Sequence, residues 1–179
     1  RGSLVAPDRL RFDFAHDSKV TPEVLRVVER EVNDIVLQNY GVISKEKSLN
    51  EARADGAMAL FGEKYGDRVR TISVTKGDQR YSYELCGGVH VSETAEIGAF
   101  IITEEGSVSA GIRRVEALTG HKAVEYIQHN LNALHQIAAQ LGTTPESAAV
   151  RVNALQDELG AARKQIAVLQ RETAKANFD

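Results

Sequence analysis

Val69-Arg70-Thr71-Ile72-Ser73-Val74, a Lys76-Gly77-Asp78 turn and Tyr81-Ser82-Tyr83-Glu84-Leu85 form the stretch on which the fold class depends. Each run alternates side-chain character with the period of a half-buried strand, and the glycine turn between them makes the strands antiparallel neighbours. Working outward, Leu10-Arg11-Phe12-Asp13-Phe14 alternates in the same way. Residues 42–47, 99–103 and 111–117 also read as strands, the last two flanking Glu105-Gly106. Thr21-Pro22-Glu23 is a helix start: a threonine cap, proline at the first helical position and an acid at the positive end of the dipole. That helix carries Val24, Leu25, Val28, Val32, Ile35 and Val36 on one stripe and is expected to end near Tyr40-Gly41. Residues 50–61 read as a short helix and turn. Together these elements predict an α+β fold: a largely antiparallel sheet with flanking helices.

After Gly120 the strand signal stops. Residues 121–141 are helical, with Val124, Ile127, Leu131, Leu134 and Ile137 on one face, and Gly142 ends the run. Thr144-Pro145-Glu146 starts another helix whose apolar positions are Ala148, Val152, Leu155, Leu159, Ala162, Ile166 and Leu169. Steps of four and three alternate throughout, which is a heptad seam, and charged residues such as Arg151, Glu158, Lys164 and Glu172 occupy the other faces. The expected organisation is a domain over 1–120, a helical linker over 121–142 and a coiled-coil-like helix over 143–179, giving a helical hairpin or coiled-coil extension. The seam's partner is expected to be residues 121–141 folded back upon it or a second copy of the chain.

With 179 residues, the chain can hold one ordinary domain and an extension. Hydrophobic residues are 42% and charged residues 26%, the balance of a soluble protein, and no apolar run approaches the length of a membrane span. Arg1-Gly2-Ser3-Leu4-Val5-Ala6-Pro7 lacks the apolar core of a signal peptide. The single cysteine excludes an internal disulfide and suits the reducing cytoplasm. A net charge of −3 argues against gripping nucleic acid with the whole surface, so any RNA contact is expected through a local patch or mostly through parts outside this chain.

The segment that carries chemistry is Glu84-Leu85-Cys86-Gly87-Gly88-Val89-His90-Val91. A thiolate and an imidazole four residues apart can turn onto one zinc ion, because glycine permits the bend between them. Two ligands fall short of the three or four that zinc takes from a protein, so the spacing leaves two readings open. One is a metal half-site; the other is a buried thiol, a glycine turn and an exposed imidazole.

That segment resembles the second zinc half-motif of the alanyl-tRNA synthetase editing domain, usually Cys-Gly-Gly-Thr-His. Gly2-Ser3-Leu4-Val5 with Leu10-Arg11-Phe12-Asp13-Phe14, the block from Ala57-Met58-Ala59 to Lys64-Tyr65-Gly66, Ile97-Gly98-Ala99-Phe100 and Gly111-Ile112-Arg113-Arg114-Val115-Glu116-Ala117-Leu118-Thr119-Gly120 are similar to the same family. The likeness covers roughly residues 1–120 in ordered blocks. Val89 departs from it, standing where threonine is usual.

The resemblance implies a fragment of a cytoplasmic alanine–tRNA ligase, an enzyme that binds ATP when whole. The implied activity of this fragment is hydrolysis of the ester that joins serine or glycine to alanine tRNA. The need for such editing is physical, since a pocket for a small side chain separates near-isosteres by only about 1–3 kcal/mol. The resemblance further implies zinc held by Cys86 and His90, with Cys86 a ligand and not a nucleophile. It places the other zinc half-motif, His-x-x-x-His, and a glutamine upstream of Arg1, so the chain alone is expected to be nearly inactive. The implied RNA partner is the acceptor end of alanine tRNA. Arg113 and Arg114, and less so Arg11, are candidates for its phosphates, against the plain reading of each as an ion-paired surface residue. A homodimer through the C-terminal helix is the expected protein partner. A free-standing editing hydrolase and a non-catalytic dimerisation or scaffold module are the alternative readings.

Overall fold

The Thr21 hydroxyl accepts a hydrogen bond from the Val24 amide at 3.4 Å, and helix α1 (Pro22–Gln38) begins there. It stops at Asn39, which adopts a left-handed conformation (φ 53°) and donates its amide to the Val36 carbonyl, two residues short of the expected end. The computed structural model describes residues 2–59 and 65–176. The family-like residues 60–64, the last residues expected in the short helix and turn, and the final three of the tail lie outside them.

Strands β1 (Gly2–Val5), β2 (Leu10–Ala15), β6 (Phe100–Ser109) and β7 (Ile112–Thr119) form one sheet in the order β1-β2-β7-β6. Strands β3 (Gly41–Ser48), β4 (Arg68–Lys76) and β5 (Gln79–Leu85) form a second in that order. Every pairing between these strands is antiparallel, and the fold is α+β. The structure divides between two sheets what alternation suggested was one, because periodicity marks a strand without naming its neighbour. It also adds β1, too short and too exposed to show a pattern, and a 3₁₀ turn over Thr94–Ile97.

Helix α2 (Leu49–Ala54) opens with a reciprocal box: the Ser48 hydroxyl accepts from the Glu51 amide (3.2 Å), and the Glu51 carboxylate accepts from the Ser48 amide (3.0 Å). It buries Ala52 against Val69 and Leu85, with Leu49, Ala57 and Tyr65 packed around them. Side-chain hydrogen bonds tie α1 to β6. Asn33 accepts from the Phe100 amide (2.9 Å) and donates to its carbonyl (2.7 Å), and Glu29 accepts from the Ile102 amide (2.7 Å).

Residues group into two units, Arg1–Glu125 and Tyr126–Asp179. Helix α3 (Gly120–Gln140) spans the division, and helix α4 (Ala148–Ala176) follows a 3₁₀ turn over Pro145–Ser147. The later part of the α4 seam is open: Leu159 is 51% exposed, Ile166 54% and Leu169 53%. At its start the seam is covered, with Ala148 buried and Leu155 half-buried. Among the described residues, no helix is long and apolar enough to cross a membrane.

Candidate functional site

Antiparallel pairing with β4 carries β5 to Leu85, and the next residue is Cys86. Its amide donates to the Arg70 carbonyl (3.1 Å), so the thiol is half-buried at the end of a hydrogen-bonded ladder and not in a free loop. Gly87 and Gly88 then leave the sheet. The Arg70 guanidinium meets them there, donating from Nη1 to the Gly88 carbonyl at 2.6 Å and to the Gly87 carbonyl at 3.4 Å. Its Nε donates to the Ser44 hydroxyl on β3 at 2.7 Å, which anchors the turn to the sheet.

Gly88 leaves an opening that both candidate ligands face. A Cβ placed there would lie 3.6 Å from Cys86 Sγ and 4.0 Å from His90 Nε2. Thiol and imidazole thus border one space, which a Cβ at position 88 would enter at ordinary contact distances. Partial desolvation and the nearby Arg70 charge hold the His90 imidazole below its usual range, with Glu84 acting in the opposite sense. This favours the neutral ring, which is the form that ligates a metal. Soft sulfur beside imidazole nitrogen suits zinc, so the pair fits as half of a tetrahedral set. Among the described residues, no third histidine, cysteine or carboxylate completes a group. Val89 is fully exposed, so the missing threonine hydroxyl leaves no buried gap.

The arginines singled out from the sequence lie on the other sheet, already engaged. Arg113 meets Glu105 fork to fork, 2.6 Å on each arm, with side-chain exposures of 14% and 3%. Arg114 meets the buried Asp13 at 2.7 and 2.9 Å. Each pairing holds its carboxylate below the ordinary range, through the hydrogen bonds first. Arg11 reaches Asp13 at 4.0 Å, and its Nε is buried without a hydrogen-bond partner. Sequence reasoning missed Arg70. A cation inside an alternating strand was visible, but the glycine carbonyls it would meet were not.

The second residue of β4 begins a match, over residues 69–116, to the threonyl and alanyl tRNA synthetase second additional domain. The matched stretch contains Arg70, Cys86, His90, Arg113 and Arg114. Over 178 residues, 99% of the chain, it is 45% identical to an alanine–tRNA ligase of Acetivibrio thermocellus. Over 97% of the chain it is 46% identical to that of Cereibacter sphaeroides. The chain resembles alanine–tRNA ligase along nearly its whole length. It spans about a fifth of these relatives, 20% and 21% of their respective lengths. Cys86 and His90 thus lie inside the second additional domain match, as does the Arg113–Glu105 pair, whereas Arg114 finds its partner Asp13 outside it. The similarity to alanine–tRNA ligase continues through α3 and α4, beyond the matched domain.

Proposed function

We propose that the chain is an editing portion of a cytoplasmic alanine–tRNA ligase, nearly inactive alone, and that within the whole ligase it serves hydrolysis of the ester of serine or glycine on alanine tRNA. The observation that carries this reading is that Cys86 Sγ and His90 Nε2 border one space over Gly88, within the matched domain. Cys86 and His90 would hold zinc, and the remaining ligands would come from residues other than those described. When bound, zinc supplies a Lewis acid that activates water or polarises the ester carbonyl. The chain's own groups prepare that place. Gly88 leaves room, Arg70 pins the turn, and the neutral His90 ring offers its lone pair.

The acceptor end of the tRNA is the RNA partner in this reading. Arg113 and Arg114 contribute to it by holding β7 in register with β6 and β2, since their guanidiniums are occupied by Glu105 and Asp13. The open seam of α4 supports a second proposal at the level of assembly, pairing with a second copy of the chain.

The editing reading is tested in the intact ligase with Cys86→Ala. The variant is expected to lose clearance of seryl-tRNA while keeping alanine activation, because the two reactions use separate sites. Clearance at the wild-type rate would overturn the assignment of Cys86.

A further inference from the structure

We propose that Arg70 is the positioning residue that shapes the Cys86–His90 turn for its metal, an inference that rests on the zinc reading above. Three ties converge on this one residue. Its carbonyl accepts the Cys86 amide at 3.1 Å, which fixes the start of the turn. Its Nη1 donates to the Gly88 carbonyl at 2.6 Å and more weakly to that of Gly87 at 3.4 Å, which fixes the middle. Its Nε donates to Ser44 at 2.7 Å, which fixes the guanidinium itself.

The need for such a clamp follows from the two glycines. A Gly-Gly pair has the widest choice of backbone conformations, so an unheld turn would point the thiol and the imidazole in many relative directions. Any metal binding to that ensemble must first order it, and affinity drops by the cost of doing so. With the carbonyls of Gly87 and Gly88 turned toward Arg70, the protein alone sets both donor atoms facing the space over Gly88. The planar fork matters, because Nε and Nη1 serve Ser44 and the glycine carbonyls together. A lysine ammonium, on a flexible stem, is not built to span both. Arg70 touches no ligand atom in this scheme, and its effect passes through the backbone of the turn.

The test uses the intact ligase and reads zinc directly, by competition with a chromophoric chelator and by the thiolate-to-metal absorption of the cobalt-substituted protein. Arg70→Ala is expected to weaken zinc on the order of 10–100-fold, the range for residues that orient metal ligands, and to alter the cobalt spectrum. Arg70→Lys is expected to recover only part of the affinity. Ser44→Ala removes one anchor and leaves the glycine contacts, so it gives a smaller loss and serves if Arg70→Ala does not fold. A purely structural role would lower the melting temperature and leave zinc affinity and the cobalt spectrum of the folded protein unchanged, and that result overturns the proposal. Cys86→Ala, run alongside, separates the two claims. If it abolishes zinc binding while Arg70→Ala does not affect it, the zinc reading stands and the role of Arg70 falls. If Cys86→Ala binds zinc as before, both fall.

Discussion

A single methyl group at position 88 would sit in the space that the Cys86 thiol and the His90 imidazole border. Gly88 does not have the left-handed backbone that would strain an alanine, and both clearances are ordinary van der Waals distances. Gly88→Ala should therefore fold normally and yet obstruct the metal. We expect the intact ligase carrying it to lose zinc affinity by roughly tenfold or more, measured by chelator competition, with an unchanged melting temperature of the metal-free form. Wild-type affinity would place the metal somewhere other than over Gly88. The cysteine and histidine were legible from their spacing and from the family-like block around them. That both donor atoms border the space over Gly88, and that Arg70 clamps the turn, was not. Ser44, Arg70 and Gly88 are brought together only by the register of β3 on β4 and β4 on β5.

At the scale of the element, α4 raises the clearest question, because its seam is regular and yet exposed from Leu159 onward. Full burial of Val152, Leu155, Leu159, Ile166 and Leu169 would contribute about 1.5–3 kcal/mol each relative to leaving them in water. A helix with that stripe in solvent is marginal by itself, so a partner stabilises it strongly. Leu159→Asp places a charge in the middle of the stripe. Sedimentation and circular dichroism of the two forms should show a dimer with higher helical stability for the wild type and a less stable monomer for the variant. Equal mass and equal thermal stability would mean that the seam is simply solvated. The helices were read well from the chain because their signals are local: the Thr21 cap on α1, the steps of four and three in α4, and Gly142 after α3. β1 was not, since four residues at a sheet edge carry too little pattern.

For the molecule as a whole, stability against acid should depend on two cross-strand pairs. Arg114 holds the Asp13 carboxyl below its ordinary range and Arg113 does the same for Glu105, in both cases through hydrogen bonds before charge. A carboxyl depressed in the folded state stabilises it above the unfolded pKa and ceases to do so as pH falls through the folded value. Thermal midpoints should thus stay level near neutrality and decline below about pH 4, where unfolded carboxyls begin to bind protons. Asp13→Asn is expected to lower the midpoint at neutral pH and to make the acid decline shallower. Parallel curves for the two proteins would show that this pair does not set the acid response.

The chain alone announced its α+β class, most of its strands and helices, the heptad seam and the Cys86–His90 pair. Each of these is a property of neighbours, set by caps, alternation, turns and spacing within a few residues. Tertiary structure alone decided that the strands form two sheets, that Asp13 meets Arg114 across a sequence separation of 101, and that Arg70 holds the glycine turn. Those outcomes depend on which strand lies beside which and in what register, and the side chains that settle register are distant along the chain and adjacent only once it has folded.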